Sequence, residues 1–191
     1  MKASEKQILF FSGKRPWLSW LAKNHTSSSG VWLRFAKKGS GVKSLSYDEA
    51  LDVALRYGWI DGQAKSDGAE YWLQKYTPRG KRSTWSKRNR ERALALIESG
   101  EMKPAGLAEV ERAKSDGRWD AAYDSPSKIG VPDDLQAALD ANAKASAFFT
   151  ALDKRNRYAI LWRIHTAKKA ETRAKRISEF VAMLARNEKI H

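Results

Sequence analysis

The run Gly-Val-Trp-Leu-Arg-Phe-Ala-Lys-Lys, rich in β-branched and aromatic residues, predicts a strand from Gly30 to Lys38, after a short helix around Pro16 to Lys23. Ser46-Tyr-Asp-Glu49 has the form of a capping box, in which the serine accepts from the Glu49 amide and the glutamate reaches back. A helix should follow, because Ala50, Val53, Ala54 and Tyr57 keep helical spacing, and Gly58 can take the left-handed conformation that stops it. Gly58 to Gln63 (GWIDGQ) and Glu70 to Tyr76 (EYWLQKY) then read as two strands. The turn formers Ser66-Asp67-Gly68 lie between them, which predicts an antiparallel hairpin.

From Ser86 onward the strand signal disappears and the pattern becomes helices separated by Gly or Pro. One runs from Ser86 to Ser99 and stops at Gly100, a second starts at Pro104 and stops at Gly117, and a third starts at Pro132 and stops near Asn142. Between Tyr123 and Pro132 the chain has turn formers and no periodicity, which marks a linker. In the last helix Ala170, Ala174, Ile177, Val181 and Leu184 share one face, the side expected to pack against the protein. The fold class is therefore α+β: a small antiparallel sheet with a helix in the N-terminal part and a helical C-terminal part. The domain boundary is expected near residue 128, giving regions 1–128 and 129–191.

Charge changes this picture more than composition does. The 191 residues carry 36 Lys and Arg against 22 Asp and Glu, a net charge of +14. That is well beyond what solubility requires and points to an anionic partner. The excess is uneven: residues 79–92 carry +6 and residues 151–191 carry +7, whereas residues 93–150 carry −4. There is no cysteine, which excludes disulfides, thiolate metal sites and thiol nucleophiles; three widely spaced histidines, His25, His165 and His191, supply little for metal binding or imidazole catalysis. No cofactor or metal is expected. No apolar run reaches the ~18 residues that span a bilayer, and the first residues lack an export signal, so a cytoplasmic protein without membrane insertion is expected.

The densest candidate for chemistry is Thr77 to Arg92, where Arg79, Lys81 and Arg82 fall in a loop and Ser86 precedes a helix. A helix N-terminus presents unpaired amides, Ser83 and Ser86 add hydroxyls, and the guanidinium groups of Arg79, Arg82 and Arg88, beside Asn89, can grip a phosphate or carboxylate. Trp85 could stack on a base, but the stronger reading has Trp85 pack on the core, Ser86 cap its helix and the Arg and Lys form a solvated face. Asp61, in GWIDGQ, is a carboxylate that could face this loop, serve as a turn former, or pair with an arginine. Gly39-Ser40-Gly41-Val42 lacks the Lys-Ser/Thr ending of a P-loop and is set aside as one. Asn156 to Ile177 interleaves Tyr158, Leu161, Trp162 and His165 with Lys168, Lys169, Arg173, Lys175 and Arg176. Such interleaving can bind nucleic acid, but the stronger reading makes Leu161 and Trp162 core, His165 a satisfied helix-end histidine and the charges surface. Trp119 reads as an anchor for the loop that follows it.

Across these motifs the chain resembles the bacterial YdeI/OmpD-associated, or bacteriocin-protection, family, over nearly its whole length. The resemblance rests on Gly30-Val-Trp-Leu-Arg-Phe, Ser46-Tyr-Asp-Glu-Ala, GWIDGQ, Thr77-Pro-Arg and Ser83-Thr-Trp-Ser-Lys-Arg-Asn. It continues through Met102-Lys-Pro-Ala-Gly-Leu, Asp116-Gly-Arg-Trp-Asp-Ala-Ala-Tyr, Val131-Pro-Asp-Asp-Leu, Asn156-Arg-Tyr-Ala-Ile-Leu and Thr172-Arg-Ala-Lys-Arg-Ile. It implies a bacterial cytosolic protein with a helical C-terminal module from about residue 130, and supplies no reaction, cofactor or catalytic residue. Three functional readings follow. The favoured one is a non-catalytic anion- or nucleic-acid-binding protein with a role in stress tolerance, because no nucleophile with its base, no carboxylate pair and no metal cluster is visible. The others are an enzyme acting on an anionic small molecule at a site including Asp61 and Arg79, and a protein-interaction module.

Overall fold

A computed structural model describes residues 7–124 and 128–191. The first six residues, read above for an export signal, and residues 125–127 of the expected linker lie outside the described residues. The chain divides into two compact units: the described residues up to Thr84 with Asn89–Asp120, and Trp85–Arg88 with the described residues from Ala121 on.

The first unit is built on β1 (Ile8–Phe10), α1 (Lys14–Asn24), β2 (Val31–Ala36), α2 (Tyr47–Arg56), β3 (Trp59–Asp67) and β4 (Tyr71–Pro78). The helix α3 (Lys87–Glu98) contributes from Asn89 onward, and α4 (Pro104–Ser115) follows. The strands form one sheet in the order β1-β2-β4-β3. The hairpin β3-β4 and the pair β2-β4 are antiparallel as the pattern predicts, while the three-residue β1, which the sequence reading missed, lies parallel to β2. The capping box is present: Ser46 Oγ accepts from the Glu49 amide at 3.3 Å, and the Glu49 carboxylate accepts from the Ser46 amide at 3.0 Å. Gly58 ends that helix at φ +71°.

Strict alternation along β2 decides the layering. Val31, Leu33 and Phe35 are buried on one face with Trp17 and Leu21 of α1 and Ala50, Val53 and Ala54 of α2. Trp32, Arg34 and Ala36 point to the opposite face. The helix α4 then packs close to the C-terminal end of α2. A Cβ on Gly106 would lie 2.4 Å from the Arg56 carbonyl oxygen and 2.6 Å from that of Leu55, so only glycine fits there.

The second unit contains α5 (Asp133–Asp140), α6 (Ala143–Ala151), α7 (Lys154–His165) and α8 (Ala170–Ala185) around Leu135, Leu139, Phe149, Ile160, Leu161, Ile164 and Leu184. Asn142 and Asp153 cap α6 and α7 through their side chains. Asn156, 2% exposed, donates to Asp153 and to the His191 carbonyl and accepts from the His191 amide, fixing the last residue onto α7. The face foreseen on α8 packs only in part: Ile177 and Leu184 are buried, whereas Ala170 and Ala174 stay exposed and line an apolar groove of about 770 Å³ with Ala138 and Val181. Alanine side chains are too short to reach the opposing helix, which leaves the groove open.

Candidate functional site

The predicted site residues divide between the two units. Asp61, Arg79, Arg82, Ser83 and Asn89 belong to the first, and Trp85, Ser86 and Arg88 to the second. Asp61 stands on the helix-facing side of β3, opposite Tyr76 in register, and accepts a 2.7 Å hydrogen bond from the Tyr47 hydroxyl at the start of α2. Arg79 is buried, with its amide on the Gly58 carbonyl at 2.9 Å and its Nη1 on the Thr84 carbonyl at 3.2 Å. The loop it opens is tied from within. Ser83 Oγ accepts from the Gly80 amide, Arg118 Nη1 donates to the Ser83 carbonyl at 2.6 Å, and Arg112 Nη2 reaches the Gly80 carbonyl at 3.4 Å. Those arginines hold backbone oxygens in place, and it is Lys81 and Arg82 that remain exposed in the loop. Trp85 is 2% exposed, Ser86 bridges to Tyr123, Arg88 is exposed and Asn89 half-buried.

Beside Asp61 the first unit concentrates polar groups. Arg92 of α3 donates to Asp48 and, at 2.6 Å, to Asp52, two carboxylates one turn apart on α2. Burial works against the Arg92 charge, but Asp52 and Asp48 outweigh it and hold the guanidinium more firmly protonated than usual. The Tyr76 hydroxyl is buried, and that burial, with Tyr47, Asp61 and Asp48 nearby, pushes its ionisation well above the ordinary tyrosine range. The Glu49 carboxyl is held below its usual range by its hydrogen bonds to Ser46.

The opposite face of the sheet carries a different chemistry. Register places Ile8 and Phe10 of β1, Trp32 and Arg34 of β2, Tyr71, Leu73 and Lys75 of β4, and Lys65 and Asp67 of β3 on that side. Lys65 Nζ lies 4.7 Å from the centre of the Trp32 ring and Lys75 Nζ 6.0 Å, while the Arg34 guanidinium sits 5.5 Å from the centre of Tyr71. Phe10 meets Tyr71 edge-on at 6.2 Å, and Arg34 pairs with Asp67 at 2.6 Å. Leu73 is buried beneath this layer, Lys65 is exposed, and Ile8 and Phe10 are 47% and 44% exposed. Three cations stand among three aromatic rings with a single carboxylate. Sequence reasoning missed these residues as a site, although Trp32 and Arg34 lie inside the Gly-Val-Trp-Leu-Arg-Phe motif, because Lys65 and Lys75 join them only through the strand register.

A second concave region was also missed. The loop set aside as a P-loop, residues 37–46, roofs a cavity of about 460 Å³ floored by Phe35, Trp72 and Tyr47. In the second unit, the basic and aromatic segment from Asn156 to Ile177 serves packing. Leu161 is buried, Trp162 is half-buried against Tyr123, and His165 Nε2 lies 3.1 Å from the Gly130 carbonyl oxygen. Arg173 grips Asp134 with two hydrogen bonds of 2.5 and 2.8 Å, and Arg176 donates to the Arg163 carbonyl. Trp119 in the first unit is 8% exposed and accepts at its carbonyl from Arg90.

Residues 9–109, more than half of the chain, match the family model described as a domain of unknown function (DUF8412). The chain belongs to that family. Residues 128–187 match the model described as Bacteriocin-protection, YdeI or OmpD-Associated. The YdeI/OmpD-associated resemblance thus holds over the C-terminal helices α5 to α8 and not over the whole chain, since the motifs of the sheet fall under the DUF8412 match. No curated protein and no solved structure matches. Among the described residues no helix is long and apolar enough to cross a membrane. The DUF8412 segment contains both the Tyr47–Asp61 cluster and the aromatic and cationic sheet face.

Proposed function

We propose that this protein is a non-catalytic binder of single-stranded nucleic acid, and that the strand lies on the face of the DUF8412 sheet opposite α1 and α2. The observation that carries this reading is the layer of Lys65 and Lys75 over Trp32, beside Arg34 over Tyr71. A single strand offers two chemistries at a spacing of a few ångström, a flat apolar base and an anionic phosphate. A surface that alternates rings with cations answers both. On binding, a base takes the ring face and the lysine ammonium moves from the π-cloud to the phosphate, so each cation exchanges a weak partner for a strong one. The net charge of +14 supplies long-range attraction, and the exposed Lys81 and Arg82 add to it near the end of β4. A role in stress tolerance, suggested by the printed description of the C-terminal match, belongs to the same reading.

The test is fluorescence anisotropy of purified, nucleic-acid-free protein with a labelled oligouridylate and a labelled duplex of equal length. The single strand is expected to bind more tightly than the duplex, and Trp32→Ala to weaken it by about 1–3 kcal/mol, the usual worth of one stacked base. Trp32 is half-buried on a solvent-facing strand position, so its removal leaves the helix-side core intact. Equal affinity of the native protein and a folded Trp32→Ala variant overturns the reading, as does absence of binding at low salt.

A further inference from the structure

The cavity under residues 37–46 lies on the helix side of the sheet, so it is distinct from the nucleic-acid face. Its floor is aromatic. Phe35 and Trp72 stack with ring centres 4.8 Å apart, and Tyr47 stands 6.2 Å from Trp72. Its roof is the segment Lys37-Lys38-Gly39-Ser40-Gly41-Val42-Lys43-Ser44-Leu45-Ser46. Of its lining side chains those charged at neutral pH are all lysines: Lys37, Lys38 and Lys43. Lys37 is already committed, donating to the Gly68 carbonyl at 2.8 Å, whereas Lys38 and Lys43 are exposed.

The loop is built to hold this form. Gly39 and Gly41 take φ of +91° and +73°, values that side chains disfavour, and these let the chain turn twice in ten residues. Ser44 Oγ accepts from the Ala36 amide and donates to the Leu45 carbonyl, pinning the far end beside β2. Among the described residues Ser40 Oγ accepts from the Val42 amide at 3.3 Å and donates to none, so its proton can turn to an incoming oxygen. The Tyr47 ring is fixed from below by its hydrogen bond to Asp61.

We infer that this cavity binds a nucleoside monophosphate, with the base against Trp72 and Tyr47 and the phosphate held by Lys38, Lys43 and the Ser40 hydroxyl. The volume of about 460 Å³ falls within the range of small-ligand sites. Aromatic floor and lysine roof match the two ends of such a molecule. A purely apolar ligand would make no use of the two exposed ammonium groups, and a bare phosphate none of the rings.

Isothermal titration calorimetry of the full chain with AMP, UMP, adenosine and inorganic phosphate tests it. AMP or UMP is expected to bind at least tenfold more tightly than adenosine or phosphate, and Lys38→Ala/Lys43→Ala to weaken it tenfold or more. Trp72→Phe, which keeps an aromatic floor, should retain binding, and Trp72→Leu should lose most of it. Trp32→Ala should leave nucleotide affinity unchanged, which separates this site from the sheet face. No heat with either nucleotide, phosphate binding as tightly as AMP, or unchanged affinity in the double lysine variant overturns the inference. Should Trp72→Leu fail to fold, the double lysine variant decides, because both its positions are exposed.

Discussion

The Tyr47 hydroxyl donates a 2.7 Å hydrogen bond to the Asp61 carboxylate, joining the first residue of α2 to the strand β3 fourteen residues away. This bond gives Asp61 a positioning task. It fixes the ring that floors the loop cavity, and it gives a half-buried carboxylate a donor in place of water. Arg92 takes the neighbouring pair, Asp48 and Asp52, so the start of α2 is held from the sheet side and from α3 at once. The arrangement suits a rigid binding scaffold.

Removing that bond from one side should cost more than changing its charge. Tyr47→Phe leaves the Asp61 carboxylate without its donor, and a loss of about 1–3 kcal/mol in urea unfolding is expected. Asp61→Asn keeps an acceptor oxygen for the tyrosine and should cost less than half as much. An Asp61→Asn loss equal to or larger than that of Tyr47→Phe contradicts the positioning role.

Salt dependence separates the sheet face from diffuse attraction. If Lys65 and Lys75 each neutralise one phosphate, the slope of log affinity against log salt should become shallower by about 1.4 in Lys65→Ala/Lys75→Ala, at about 0.7 per single-strand contact. Replacing the exposed Lys168 and Lys169 of the other unit is the control and should change the slope by less than half that amount. Equal changes in the two variants argue for attraction by net charge alone.

The elements that were legible in the sequence are those whose signal is local. The capping box at Ser46, the positive-φ stops at Gly58, Gly100 and Gly117, and the β-branched and aromatic run of β2 all sit where their residues predict. β1 escaped because three residues cannot show a period, and its partner choice is set by the distant β2. The candidate site was legible only as charge. Arg79 reads like an exposed anion ligand in a basic run, yet it is buried and its Nη1 donates to the Thr84 carbonyl of its own loop. Lys65 and Trp32 are 33 positions apart, and only the order β2-β4-β3 brings them together.

Packing of α4 against the end of α2 should depend on one hydrogen atom. Gly106→Ala places a methyl group within 2.6 Å of two carbonyl oxygens, both of them backbone and unable to swing away. An overpacking loss of about 1–3 kcal/mol is expected despite alanine's better helix propensity, which alone would favour the variant by about 1 kcal/mol. Thermal unfolding followed by circular dichroism checks it. A higher melting temperature in Gly106→Ala means that the two helices are farther apart than described.

At alkaline pH the second unit should weaken through Tyr158. Burial, and secondarily Tyr123, raise its ionisation from 10 to about 12. The native state therefore holds the phenolic proton more tightly than the unfolded chain does. Below pH 10 both states are protonated and the contribution is complete; between 10 and 12 the unfolded chain ionises first, so stability falls as pH rises; above 12 the contribution is gone. Tyr158 is half-buried and in part reached by solvent, so screening keeps the effect well below the full linkage value. Urea midpoints at about pH 9 and about pH 11.5, on either side of the ordinary tyrosine range, should fall less in Tyr158→Phe than in the native protein. Lysine titration and the buried Tyr76 are common to both proteins and cancel in the difference. An identical fall in the two means that Tyr158 ionises alike in the folded and unfolded states.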